Sequence, residues 1–314
     1  MRGKAFSGDF LTLGQQPAEN RSRRHYTGFS LFDKHNPRRS LMERSFSTLI
    51  PPQPEILIDL ATEFKADEPN LGKIAELLKA DVALYSTILK AVNSPYYGLA
   101  VTVTSIERAL SLLGLERVFS LVRLTIMRNT LKKTGRLERF WDTARDVSQL
   151  SIRVAEELTD LSKDDAYTLG MLHDCGLPLM VQAFPDYRSF LTQAGNLEPA
   201  EFERLEVEQF GFSHYQIGAR MAERWFLPQH VADAIRLQPR ITEVMNDSVE
   251  TDELTRHLLA VLALAQDIST EYRYYWRISP RQELSHLQPA LSFLSTCDVD
   301  YLNFKEQILE NMGA

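Results

Sequence analysis

From residue 54 onward the chain repeats one pattern: apolar side chains return every three or four positions, and helix-stopping residues divide the repeats. That spacing gives each segment one apolar stripe to bury. It leaves little for a sheet, since a half-buried strand alternates apolar and polar at every second residue, and no such run bounded by turn residues occurs. The pattern therefore predicts an all-α fold.

Individual segments carry their own start and stop signals. "PPQPEILIDLATEFKAD" places prolines ahead of Ile56, Leu57, Leu60, Ala61 and Phe64 at helical spacing. "NLGKIAELLKAD" opens on Asn70, a good N-cap, and puts Leu71, Ile74, Leu77 and Leu78 on one side. "VALYSTILKAVNS" follows, and Pro95 breaks it because proline lacks an N–H and restricts its predecessor. Thr104 to Glu107, "TSIE", fits a capping box, Gly114 punctuates, and Lys132, Lys133 and Gly135 close the next helix. "RLERFWDTARDVSQLSIRVAEELTD" reads as one long amphipathic helix. "DDAYTLGMLHDCGLPLMVQAF" is apolar nearly all round, which predicts a central buried helix. Beyond it come the acidic "EPAEFERLEVEQFG", then "SHYQIGARMAERWF" capped by Ser213, then "PQHVADAIRLQ" started by Pro228, and helices near 250–272 and 286–312.

Charge and length bound the function. Through residue 45, nine Lys/Arg face four Asp/Glu, a net of +5; the chain carries −7, so the remainder carries −12. An acidic body argues against a broad nucleic-acid face, which needs clustered positive charge. The basic segment 1–45, with "RSRRHY" and "HNPRRS", lacks apolar periodicity and reads as a poorly ordered tail. No run approaches a membrane span, and Cys175 and Cys297 form neither a disulfide framework nor a CxxC motif. The expectation is a cytoplasmic protein without membrane contact.

One stretch stands apart. "LGMLHDCGLPLM", Leu169 to Met180, sets His173 and Asp174 inside an apolar segment. An adjacent imidazole and carboxylate can ligate a divalent metal, or can form a buried pair that satisfies itself. No P-loop, dinucleotide fingerprint or nucleophile elbow accompanies it.

Taken in order, six segments resemble the HDOD domain family, a degenerate branch of the HD-type metal-dependent phosphohydrolases. They are "LIPPQPEIL", "LLKADVALYSTILKAVNSPYYG", "VTSIERALSLLGLERV", "FWDTARDVSQLSIRVA", "LGMLHDCGLPLM" and "FGFSHYQIGARMAERWFLP", together covering about 46–240. The resemblance implies an HD-domain/phosphodiesterase-like helical bundle with an N-terminal helical lobe. It gives an HDOD domain over 46–245, with an N-terminal lobe to about 135 and an HD-like lobe from 136. A C-terminal helical extension over 246–314 follows. Asn93, Ser94 and Gly98 read as chain-turning residues, and Trp141 and Trp225 as core anchors. "EYRYYWRIS", Glu271 to Ser279, is an aromatic helix end packed on the domain, with a partner or nucleotide surface as the alternative.

Active HD-type enzymes hold their ions with an earlier-helix His, the His-Asp pair and a later Asp, and multi-metal relatives add histidines. Here the pair is intact, and His214 matches one of the added histidines. Thr143 stands at the earlier His position, Leu177 where a Lys often follows the pair, and Leu237 and Gln238 at a later His pair; Asp247 or Asp267 could be proposed as the final Asp. The candidate metal residues are thus His173, Asp174 and His214, working or vestigial, with Arg145 or Arg153 as other partners for Asp174. No catalytic residue is assigned and no cofactor is expected, a divalent ion being the alternative. The resemblance implies bacterial signal transduction, the chain acting as a non-catalytic regulatory or interaction scaffold for a signalling protein. The alternatives are a phosphohydrolase of nucleotides or cyclic dinucleotides with an altered ligand set, and a nucleotide receptor with a degenerate site.

Overall fold

The computed structural model describes residues 49–94, 99, 101–132, 138–195, 197–274 and 284–313. Among these every regular element is helical. The first lobe comprises α1 (Glu55–Phe64), α2 (Leu71–Ala80), α3 (Val82–Val92), α4 (Ile106–Leu113) and α5 (Leu115–Lys132). Asn70 caps α2 by accepting from the Lys73 N–H, and Asp81 caps α3 through the Ala83 and Leu84 N–H groups. Asn93 ties the end of α3 to the strap before α4: its amide accepts from and donates to the Val103 backbone, each at 2.7 Å. The α4 cap falls on Ser105, whose hydroxyl accepts from the Arg108 N–H. The expected start at Thr104 is therefore one residue early; serine and threonine cap alike, and only backbone geometry separates neighbours. Gly114 adopts φ 79°, which lets α5 begin without a gap.

The second lobe begins with α6 (Glu138–Leu158), which pairs antiparallel with α7 (Lys163–Leu172). Their contact is close because Gly170 has no side chain: a Cβ there would lie 2.6 Å from the Ser148 Cα. Next come α8 (Gly176–Ala183), α9 (Tyr187–Ala194), α10 (Pro199–Phe210), α11 (His214–Arg224) and α12 (Gln229–Leu237). The expected single helix through "LGMLHDCGLPLM" is in fact two, α7 and α8, with His173 to Cys175 turning the chain between them. Pro178 explains the break: in a continuous helix it would lose a bond to the Asp174 carbonyl and clash with it, whereas in the first turn of α8 it costs nothing.

A short 3₁₀ turn leads to α13 (Ile241–Met245), and then α14 (Glu253–Tyr274), α15 (Gln288–Phe293) and α16 (Asp298–Gly313) complete the chain. Although α14 lies in the segment read as an extension, it packs on α6, α7 and α12 and forms one wall of the bundle. Trp141 and Trp225 are both core residues, as expected. Of "EYRYYWRIS", residues 275–279 lie outside the described residues; Arg273 pairs with Asp146 of α6. No described helix is long and apolar enough to cross a membrane.

Candidate functional site

The α7–α8 turn faces the N-terminus of α11, and this brings His173, Asp174 and His214 together. Ser213 starts α11 with a full capping box, its hydroxyl accepting from the Gln216 N–H while the Gln216 side chain accepts from the Ser213 N–H. Two glycines let α8 and α11 touch backbone to backbone. A Cβ on Gly176 would lie 1.9 Å from the His214 carbonyl oxygen, and one on Gly218 would lie 3.2 Å from the Cys175 Sγ.

Each imidazole is held at both nitrogens. His173 Nδ1 lies 2.8 Å from the Gly170 carbonyl oxygen, and its Nε2 lies 3.2 Å from Asp174 Oδ2. His214 Nδ1 lies 2.8 Å from Glu206 Oε2, and its Nε2 lies 3.7 Å from Asp174 Oδ1. A carbonyl only accepts, so the His173 Nδ1 carries a proton. With a carboxylate facing the other nitrogen of each ring, the arrangement favours the doubly protonated form. Two imidazolium charges then balance Asp174 and Glu206.

The protonation tendencies agree. Burial lowers the His214 pKa, but hydrogen bonds and charge from Asp174 and Glu206 outweigh it and raise the group to about 9. His173 is raised too, burial again being overcome by Asp174. Asp174, despite burial pushing the other way, is held well below the usual carboxylate range by the two histidines. Burial and the Asp174 charge push the Cys175 thiol up, so it is not a reactive thiolate. Both imidazoles are buried, whereas the Asp174 side chain keeps 27% of its exposure and is the part that meets solvent.

Glu206 and Tyr187 were not singled out in the sequence. Glu206 is completely buried and also accepts from the Tyr187 hydroxyl. Its position carried a signal: Phe202, Glu206 and Phe210 follow one another at i, i+4 spacing, so a carboxylate lies on an apolar stripe. The Tyr215 ring lies 3.8 Å from that of His214, centroid to centroid, and Phe202 meets it edge-on.

The replaced positions have structural work. Thr143 donates back to the Arg139 carbonyl within α6 at 2.9 Å. Gln238 donates to the His173 carbonyl at 2.8 Å and to the Ile235 carbonyl at 3.1 Å, clamping the backbone that carries the pair. Asp247 is exposed and pairs with Arg256, and Asp267 is committed to Lys305, Tyr301 and His286. The proposed arginine partners do not reach Asp174: Arg145 pairs with Asp142 at 3.3 Å and Arg153 is exposed. The neighbouring His173 takes part of that role, and His214 takes the rest because α11, distant in sequence, closes over the turn. Among the described residues no group of three or more His, Cys, Asp or Glu is arranged to hold a metal ion. The Nε2 atoms are directed at the Asp174 oxygens, and the Gln238 amide is spent on the backbone.

A helical bundle carrying a His-Asp turn against a later histidine defines an HD-like domain. The HDOD domain family model matches residues 50–241, and the chain belongs to this family. An uncharacterized protein of Treponema pallidum (strain Nichols) is 27% identical over 189 residues, 60% of this chain and 37% of that protein. The match thus spans little more than a third of the relative's length. An HDOD domain protein of Geobacter sulfurreducens shares the fold with TM-score 0.61 and 20% identity, over 88% of this chain and 95% of that one. A Shewanella amazonensis SB2B protein, whose name proposes a phosphohydrolase, has TM-score 0.61 and 21% identity, over 86% and 93%.

Proposed function

We propose that this chain is a non-catalytic regulatory module that works by binding a signalling protein. The observation that carries this reading is the closed polar cluster Gly170–His173–Asp174–His214–Glu206–Tyr187, in which each group is paired with its neighbour. A hydrolytic site needs a group free to activate water or to offset charge on phosphoryl oxygens. Here Leu177 stands where a lysine could contact phosphate, and Gln238 fixes backbone. The cluster instead supports α7, α8, α10 and α11 as one unit, a rigid base on which an interaction surface can be displayed.

Purified full-length chain should release no product from a panel of nucleotides and cyclic dinucleotides with Mg²⁺, Mn²⁺ or Zn²⁺. Elemental analysis after reconstitution should show metal well below one per chain. Metal-dependent turnover abolished by His173→Ala would overturn the proposal in favour of a phosphohydrolase with an altered ligand set.

A further inference from the structure

The far end of α11 is held as tightly as its His214 end, and by the other lobe. Past Arg224 the chain makes a tight turn in which Phe226 adopts φ 61°, a left-handed conformation disfavoured for a bulky residue. Three parts of the first lobe grip this turn. From the entry segment, Gln53 donates to the Arg224 carbonyl, and the Pro51 carbonyl accepts from Trp225 Nε1 at 3.4 Å. From α5, Arg123 donates to the Phe226 carbonyl, while its guanidinium lies 4.5 Å from the Phe119 ring centroid and also bonds Ser120. At the end of α1, Lys65 Nζ stands 4.6 Å from the Phe226 ring centroid.

These contacts are not ordinary packing of one apolar face on another. They are directed bonds to the Arg224 and Phe226 carbonyls and from the Trp225 ring N–H, at a turn whose backbone would otherwise relax, since strained residues persist only where surroundings over-determine them. Between the turn and His214 lies α11, about 16 Å of helix at 1.5 Å per residue. Its middle touches α8 through Gly176 and Gly218. Along its length α11 buries Tyr215, Ile217, Ala219, Met221 and Ala222 in the core, so it acts as one rigid element between the turn and the His214 end.

We propose that the Arg224–Phe226 turn is a latch through which the first lobe sets the position of α11 and, with it, the His214–Asp174–Glu206 cluster. A partner that draws Arg123 or the Pro51–Gln53 segment away releases the turn and loosens the cluster at a distance. Only the nature of this trigger rests on the regulatory reading; the coupling does not depend on whether the cluster turns over a substrate.

The test is hydrogen exchange with NMR of the histidine rings, on the full chain. In Arg123→Ala, amides of α11 should exchange at least tenfold faster while those of α14 keep their rates, and the His214 ring signals should shift. Phe226→Gly keeps the carbonyl that Arg123 holds and removes the backbone penalty, but it loses the ring that Lys65 meets, so α11 should exchange faster by less than in Arg123→Ala. Equal acceleration in α11 and α14 would show global destabilisation only and overturn the latch, as would an unchanged α11. If Arg123→Ala does not fold, Gln53→Ala is read by the same α11-to-α14 ratio.

Discussion

Two buried polar clusters lie in the second lobe, and they solve the same electrostatic problem differently. At the C-terminal end, Lys305 of α16 reaches Asp267 at 2.6 Å and Glu271 at 2.5 Å on α14, and the Tyr301 hydroxyl donates to Asp267 at 2.7 Å. At the α7–α8 turn, the carboxylates Asp174 and Glu206 face two histidines. In the first cluster one lysine lies between two carboxylates and fastens α16 to α14. An imidazole is charged only when protonated, and in the second cluster, against burial, Asp174 and Glu206 favour that form of His214, raising it to about 9.

Breaking the fastening should have the largest effect. Lys305→Ala leaves Asp267 and Glu271 without their cation, and the expected loss is about 3–5 kcal/mol in urea unfolding. Glu206→Gln preserves shape and an acceptor oxygen at the other cluster and should cost less, about 1–3 kcal/mol. A reversal of that order would mean that the histidine cluster, not the lysine one, anchors the lobe.

The clusters should also separate by pH. Burial raises the Asp267 pKa, but bonds from His286, Lys305 and Tyr301 outweigh it and lower the group to about 2. A depressed carboxyl pKa contributes stability above its unfolded value near 4, and that contribution is lost as pH falls toward 2. His214, raised to about 9, contributes stability that is full below its unfolded value near 6.5 and is lost as pH rises through about 9. Urea midpoints measured across pH should therefore fall at both ends. Asp267→Asn should reduce the acid limb, to which the depressed Asp174 still contributes, and leave the alkaline limb unchanged; flattening of the alkaline limb by that variant would sink the assignment.

The smallest effect is expected at Arg145, which the sequence offered as a partner for Asp174. Its exposed pair with Asp142 predicts that Arg145→Ala changes stability by less than about 0.5 kcal/mol. A loss of several kcal/mol would reconnect it with the buried carboxylate.

Much of the fold was legible because helices announce themselves locally. Asn70, Ser213 and Pro228 start helices where the sequence placed them, and Trp141 and Trp225 are core residues on amphipathic stripes. The break at His173 to Cys175 was hidden by an unbroken apolar run, since periodicity does not show where a uniformly buried segment turns. At the site, the sequence named His173, Asp174 and His214, and the fold places them in one cluster. Glu206 escaped notice because its helix is rich in glutamate, although its place between Phe202 and Phe210 on the apolar stripe separates it from the exposed Glu201 and Glu208.

The sequence by itself determined an all-helical chain of this family, where most helices start, and the trio His173, Asp174 and His214. These are properties of local spacing and residue chemistry. Tertiary structure alone decided that His214 and not an arginine of α6 reaches Asp174, that Gln238 holds the His173 backbone, and that the first lobe grips the end of α11. Each of those contacts joins residues dozens of positions apart, and no periodicity along the chain encodes which distant side chain will arrive.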